Sequence, residues 1–318
     1  MIGLITSLLA ITISAGTSLL YATIGEIYTE RSGILNLGIE GMMLMGAVTS
    51  FAVSYYTNSL FLALLIAMVV TAFMALIHAF LTITMKANQV VSGLSITIFG
   101  TGLSSFLGKR LGPESNNFNL YGVNGKNFPD IQVPLVGDWP IFSAILNQDI
   151  LTYIAYLIIP LAWFFMYKTK KGLNLRAVGE NPRTAEAMGI NVIRTRYIYT
   201  VIGGMFAGIG GAHLALAYTP GWNEHITGGR GWIVIALVIF AMWNPGKAIL
   251  GTLLFGGINA IQFRLQAAGT DIPASLLNML PYLVTVLALV LLTVYENYGK
   301  RKIGAPSALG KPYMKEDK

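Results

Sequence analysis

The sequence predicts an all-α, polytopic membrane protein of about 8–10 transmembrane helices, with room for broken or re-entrant helices. Of its 318 residues, 54% are hydrophobic and only 11% are charged, whereas a soluble domain carries about 25% charged residues. Its apolar segments are continuous and roughly twenty residues long, the length at which a helix crosses a bilayer. They lack the alternation of apolar and polar residues that a transmembrane β-barrel requires.

Nine apolar windows are the predicted membrane segments. They lie at about 2–25, 34–56, 59–83, 87–108, 150–167, 197–218, 231–243, 248–263 and 275–295. The first lysine or arginine is Arg31, so the first window lacks the basic start of a secretory signal peptide and is expected to be a retained span. We divide the chain into a transmembrane domain, residues 1–298, and a basic tail, residues 299–318.

The windows 231–243 and 248–263 are short for a full crossing, which needs roughly 20 residues. Asn244-Pro245-Gly246-Lys247 joins them and is a strong turn signal. They either span the membrane with tilt or form a re-entrant hairpin, and short or interrupted helices of this kind often mark a transport path.

Positive charge outside the windows predicts the topology. The loop 168–196 carries seven Lys and Arg residues against two Glu, and the tail is also basic. Both are expected in the cytoplasm because basic loops stay on that side. The loop 109–149, with three basic and four acidic residues, is expected outside. The C-terminus is therefore predicted to be cytoplasmic.

The stretch GENPRTAEAMGI, residues 179–190, predicts a short water-soluble helix within the basic loop. Asn181 is a favoured N-cap residue, and Pro182 fits the first helical position, where its missing N–H costs nothing. Gly189 is placed to end the helix in the left-handed conformation. The apolar face of this helix is too thin for binding to lipid headgroups, which favours docking on another protein.

Segment 197–218 contains rows of small residues. Gly204 and Gly208 form a GxxxG step, and Gly203, Ala207 and Gly211 form a second row. Such rows allow helix backbones to approach closely. The sequence therefore predicts tight packing inside the subunit, with dimerisation through this face as the alternative.

Glu40 is the acidic residue of window 34–56, and a carboxylate that faces lipid is costly. It is either a polar lock at a helix junction or a contact that lines a transport path. Each further polar candidate is either a path residue or an interhelical hydrogen bond. The other path candidates are Asn36, Asn88, Gln89, Ser92, Phe99, Trp232 and Asn259.

The sequence predicts that the chain is not an enzyme. It has no cysteine, and its three histidines are far apart, which argues against a metal site. It has no G-x-x-x-x-G-K-[ST] phosphate loop and no Ser/His/Asp grouping. We therefore expect it to bind no cofactor or metal itself, so the energy for transport must come from an ion gradient or from a partner protein.

Few charges lie in the windows beyond Glu40 and the border residue Arg264. Ion-coupled carriers often use intramembrane charges as relays, so this sparsity favours a partner protein. The capped helix is suited to receive that partner because Ala185 and Ala187 are small enough to seat in a groove. The basic residues that flank it can pair with acidic residues of the partner.

Four stretches resemble the permease subunits of ABC importers, in the class that serves branched-chain amino acids, simple sugars and nucleosides. The similarity is greatest to nucleoside-type permeases that are paired with basic-membrane-lipoprotein-type binding proteins. The stretches are ERSGILNLGIEGMM at 30–43, NQVVSG at 88–93, GLNLRAVGENP at 172–182 with AEAMGI at 185–190, and GRGWI at 229–233 through Asn244-Pro245.

The resemblance implies a permease of the bacterial cytoplasmic membrane that couples to a separate ABC ATPase, on which ATP and Mg²⁺ are bound. It also implies a second permease subunit, identical or paralogous, and an extracytoplasmic substrate-binding lipoprotein that faces loops 109–149 and 219–230. The implied coupling residues are Asn181, Pro182, Arg183, Thr184, Ala185, Glu186, Ala187, Met188 and Gly189.

Nucleosides are the predicted cargo, and three aromatic residues near the expected path, Phe99, Trp232 and Phe255, are candidates for stacking on a base. A simple sugar such as ribose or galactose, moved by the same machinery, is the close alternative. An ion-coupled carrier or channel is the alternative from another class, and it would act without an ATPase.

Overall fold

A computed structural model describes residues 2–133, 139–269, 272–298 and 304–314. Within these ranges the chain folds into twelve α-helices without a regular strand. The helices are α1 Ile2–Arg31, α2 Ile39–Thr57, α3 Leu60–Ala79, α4 Gln89–Gly108, α5 Pro140–Leu146, α6 Ile150–Lys168, α7 Lys170–Glu180, α8 Pro182–Ala187, α9 Val192–His213, α10 Arg230–Phe240, α11 Pro245–Ala267 and α12 Ala274–Tyr298.

The predicted all-α membrane fold is confirmed, and each of the nine apolar windows coincides with a helix. In the described part of the chain, six helices are long and apolar enough to cross a membrane, namely α1, α3, α4, α6, α9 and α11. Two of these six are lengthened by π-helical ends, Phe80–Thr84 after α3 and Leu214–Tyr218 after α9. The 11-residue α10 and the Met279–Ala288 part of α12 are shorter apolar helices.

The two short windows differ from each other in the structure. α10 has 11 residues, whereas α11 has 23 and is long enough to cross the bilayer alone. The turn lies two residues earlier than predicted, at Met242 and Trp243, which adopt left-handed φ angles of 54° and 52°, respectively. Asn244 and Pro245 instead begin α11, as its N-cap and first residue. An Asn-Pro pair suits a helix start as well as a turn, which explains the misplacement.

Helix α1 lies at the centre of the bundle between α9 and α11, and α9 in turn packs against α2 and α3. The glycine rows of α9 make this possible. A methyl group at Gly203, Gly208 or Gly211 would overlap α1, α3 or α2, respectively. The prediction of internal packing is confirmed, and the alternative of dimerisation through these rows is wrong because the rows are buried inside this chain.

The loops gather at two opposite ends of the bundle. At one end, Lys109 pairs with Glu224 at 2.8 Å, which joins the loops 109–149 and 219–230. At the other end, the amide of Ala308 donates to the carbonyl of Gly179 at 2.9 Å, which joins the tail to the basic loop. This grouping agrees with the predicted sides of the loops. Residues 134–138 of the first loop and 299–303 and 315–318 of the tail lie outside the described residues.

Candidate functional site

The basic loop 168–196 forms two consecutive helices, α7 and α8, of which the sequence predicted only the second. α7 follows α6 across Thr169, whose hydroxyl caps the new helix by accepting the amide of Gly172 at 3.1 Å. A threonine before a charged and apolar run is a recognisable N-cap signal. The predicted soluble helix is therefore the second of two consecutive helices, which meet at Asn181.

Both predicted ends of α8 are confirmed. The side-chain oxygen of Asn181 accepts the amide of Thr184 at 3.1 Å, and Pro182 occupies the first turn. Gly189 has a φ of +82°, where a Cβ would be strained. Its amide and the next one donate to carbonyls of the last turn at 2.8 and 3.0 Å, which is the Schellman pattern. A helix of this length gains its order from these caps.

The two faces of α8 have different surroundings. Ala185 is 3% exposed and packs against Val178 and Val192, so it does not lie on the surface that a partner could reach. Ala187 is exposed, and Met188 is 78% exposed. The prediction that both alanines seat in a partner is therefore wrong for Ala185. The exposed residues of α8 and its C-terminal end are Arg183, Thr184, Ala187, Met188 and Gly189.

The C-terminal end of α1 joins the basic loop to the turn between α10 and α11. The guanidinium of Arg31 donates to the carbonyls of Trp243 and Met242 at 3.1 and 3.3 Å. The indole N–H of Trp243 donates to Glu30 at 2.5 Å. The carbonyl of Arg31 lies so close to Gly179 of α7 that a side chain there would overlap it. Helix α7, the end of α1 and the turn that follows α10 are therefore in direct contact.

Between α1 and α2 the chain is not helical over residues 32–38, the irregular start that the sequence predicted for window 34–56. Asn36 holds this stretch in place. Its backbone and side-chain N–H groups donate to Glu26 at 3.2 and 3.4 Å, and its side-chain oxygen accepts the amide of Gly38 at 2.9 Å. Asn36 therefore has a structural role in this subunit.

Glu40 lies where two helices begin. Its carboxylate accepts the hydroxyl of Thr227 at 2.5 Å and the amides of Gly229 and Gly231 at 3.0 and 2.6 Å. Glu40 is in the first turn of α2, and the two glycines are at the start of α10. The carboxylate satisfies amides that α10 leaves unpaired and lies at the positive ends of two helix dipoles. This geometry is that of a polar lock.

Three further path candidates lie at the start of α4 and make contacts within this subunit. Asn88 caps α4 by accepting the amide of Val90 at 2.9 Å. The side-chain oxygen of Gln89 accepts the amide of Leu35 at 2.7 Å. The hydroxyl of Ser92 lies 2.9 Å from a ring nitrogen of His78. These contacts give each of the three a structural role in the single subunit.

The remaining candidates divide into exposed and buried residues. Phe99 of α4 and Trp232 of α10 are 54% and 38% exposed, so both rings have free surface. Phe255 is buried in the core and is not available for stacking, contrary to the prediction. Asn259 is buried, and its amide nitrogen has no hydrogen-bond partner among the described residues.

The predicted windows carry few charges, as expected, but the described bundle also buries five charged residues that lie just outside those windows. Glu26, Glu30, Asp149, Arg196 and Arg230 are all buried in the described bundle. The two glutamates follow the first predicted window, which ended at residue 25, whereas α1 continues to residue 31. The other three flank predicted windows. Their burial depends on contacts that are distant in sequence, such as the 3.2 Å contact between His213 and Asp149.

Known proteins are similar to this chain over nearly its whole length. Residues 7–289 match the family described as the branched-chain amino acid transport system permease component. TsgC13 of Haloferax volcanii, provisionally named a glucose ABC transporter permease protein, is 38% identical over 97% of this chain and 98% of its own. The guanosine ABC transporter permease protein NupQ of Bacillus subtilis is 34% identical over 93% of both chains. The nucleoside ABC transporter permease protein NupC of Lactococcus lactis is 32% identical over 94% of both.

Proposed function

Since the chain belongs to the permease-component family of branched-chain amino acid transport systems, we propose that it is the membrane-spanning subunit of an ATP-driven ABC importer of nucleosides. The observation that carries the choice of cargo is the likeness, over more than nine-tenths of the chain, to permeases named for guanosine and for nucleosides. The exposed rings of Phe99 and Trp232 support this choice, because aromatic faces stack on bases.

The outer face of α8 is the proposed docking site of the ATPase. Its capped ends make it a stable lever, and α7, the helix that precedes it, lies directly against the end of α1. In this proposal ATP and Mg²⁺ are bound by the partner, and the permease catalyses no reaction. ATP-driven movement of the partner displaces α8, and the displacement reaches the short helix α10 through Arg31 and Trp243.

A second permease subunit, identical or paralogous, completes the translocation path. The polar candidates Asn36, Asn88, Gln89 and Ser92 are engaged in contacts within the single subunit. The rings of Phe99 and Trp232 are exposed, and they are the side chains that we assign to the shared path. The joined loops 109–149 and 219–230 face a substrate-binding lipoprotein outside the bacterial cytoplasmic membrane. The basic loop, α8 and the C-terminus lie in the cytoplasm, in keeping with the positive-inside rule.

A simple sugar is the second candidate cargo, favoured by the 38% identity to TsgC13. Competition for uptake separates the two cargoes. In cells that express the permease with its ATPase and binding protein, we expect unlabelled nucleosides to abolish uptake of labelled nucleoside. Glucose, ribose and arabinose at the same concentration should leave it unchanged.

The reverse pattern would exclude the nucleoside proposal. If labelled glucose or ribose entered the cells, and nucleosides did not compete, the same machinery would serve sugars.

A complementary test is Phe99→Leu, which keeps an apolar side chain and removes the ring. This change should weaken nucleoside uptake more than it lowers the amount of permease in the membrane.

A further inference from the structure

The C-terminal segment 304–314 returns to the basic end of the bundle and packs under the two helices of the basic loop. Three hydrogen bonds to backbone carbonyl groups hold it there. The amide of Ala308 donates to Gly179 of α7 at 2.9 Å, and the amide of Gly310 donates to Gly33 at 3.3 Å. The guanidinium of Arg196, at the start of α9, donates to the carbonyl of Lys311 at 3.3 Å. The segment thus bridges α7, the end of α1 and α9.

Two hydroxyl groups of the segment bond to carboxylates of the coupling helices. The hydroxyl of Ser307 donates to Glu180 at 2.5 Å, and that of Tyr313 donates to Glu186. Hydrogen bonds to a charged acceptor are among the stronger ones. Burial and the Glu186 carboxylate raise the pKa of Tyr313 to about 12, so its hydroxyl stays protonated and remains a donor at neutral pH.

Helix α8 has six residues, and Ala185 is the one that is buried. Its buried contact consists of Ala185 against Val178 and Val192, a cluster of small and medium side chains. The segment 304–314 adds attachments on both arms of the helix pair, at Glu180 on α7 and at Glu186 on α8. It anchors them to the bundle through the burial of Ala308 and the packing of Leu309 against the core around α1.

We propose that residues 304–314 are a clasp that fixes α7 and α8 to the ends of α1 and α9, with Ser307 and Tyr313 as positioning residues. This inference rests on the proposed function, in which an ATPase moves α8. With the clasp closed, a displacement of α8 moves α1 and α9. Without it, α8 tilts on its small apolar contact, and the displacement is lost before it reaches the membrane helices.

The first test measures the attachment of α8 without reference to any cargo. The chain has no cysteine, so Met188→Cys offers a single exposed site for a spin label on the full-length permease in lipid nanodiscs. We expect the label to become more mobile when Ser307→Ala and Tyr313→Phe remove both hydroxyls. The matched control is Tyr197→Phe with Thr84→Ala, which removes a hydroxyl pair that lies elsewhere on the same end. If the label were equally mobile in the variant that lacks the Ser307 and Tyr313 hydroxyls and in the control variant, the clasp proposal would be overturned.

The second test measures transmission in the reconstituted permease, ATPase and binding protein. The clasp variant should hydrolyse ATP at a rate within about twofold of the wild type while the nucleoside imported per ATP falls about threefold or more. The control variant should keep the wild-type ratio. An unchanged ratio, or a parallel fall of import and hydrolysis, would overturn the clasp. Failure of the wild type to import nucleoside would instead contradict the proposed cargo and leave the spin-label result to decide the clasp.

Discussion

Glu40 illustrates how a charged side chain is accommodated deep in a helical bundle. Its carboxylate accepts three hydrogen bonds, two of them from amides at the start of α10, and it is 7% exposed. A buried charge is tolerated where donors surround it, and removing its acceptor capacity leaves those donors without partners. At the scale of single residues, Glu40 therefore joins α2 to the short helix α10.

We predict that Glu40→Gln destabilises the permease by about 1–3 kcal/mol. The NH2 group that replaces one carboxylate oxygen cannot accept a hydrogen bond, so the amide of Gly229 or of Gly231 loses its acceptor. The measurement is the thermal unfolding midpoint of the purified protein in detergent, with Glu114→Gln in an exposed outer turn as the matched control. If both variants unfolded at the wild-type temperature while Glu40→Gln alone lost uptake, Glu40 would line the path and would not be a lock.

The predictability of single residues from the sequence depends on how far away their partners are. Asn181 and Gly189 were predicted because caps bond within a few residues. For Glu40 the sequence left two roles open, since its partners lie 187 to 191 residues away. Ser92 and His78 are similar, because their contact depends on how α3 and α4 come together.

At the scale of helices, the proposed coupling role of α8 can be tested by removing the two caps that hold it in shape. Asn181→Ala removes a cap contribution of about 1 kcal/mol, and Gly189→Val places a β-branched residue in a left-handed conformation at a cost of about 1 kcal/mol or more. We expect the double variant to insert normally and to lose most of its ATP-dependent uptake.

The controls for this prediction are the membrane level of the protein and a cap elsewhere. Asn88→Ala removes the equivalent cap of α4, and it should lower stability without changing the uptake per ATP hydrolysed. Normal uptake by the variant that lacks both α8 caps would show that α8 is only a linker and has no coupling role.

The short helix α10 shows where the prediction of helix ends from the sequence fails. The sequence placed a turn at Asn244–Lys247, but the turn occurs at Met242 and Trp243. Arg31 and Glu30, more than 200 residues earlier, hold it there through the backbone and indole groups. Hydrophobic length alone indicated a short segment, whereas the position of its end depends on those distant contacts.

At the scale of the whole molecule, the apolar windows and the basic loops predicted the fold class and the grouping of the loops. They did not predict that the tail packs against the basic loop, because the backbone contacts of Ala308 and Gly310 have no sequence signature. They also underestimated the buried charges. The guanidinium of Arg230, the first residue of α10, donates to the carbonyl of Ala15 and the hydroxyl of Ser18 at 3.1 and 3.3 Å, which joins α10 to α1.

The central claim is that energy for transport arrives from a separate ATPase through α8. The most direct measurement is uptake of labelled nucleoside into liposomes that contain the permease with or without its ATPase, with ATP inside and the binding protein outside. We predict uptake only when the ATPase and ATP are both present, and a fall of about tenfold in Arg183→Glu, which reverses a charge on the docking face. Uptake by the permease alone, driven by a proton or sodium gradient and unaffected by Arg183→Glu, would contradict the account.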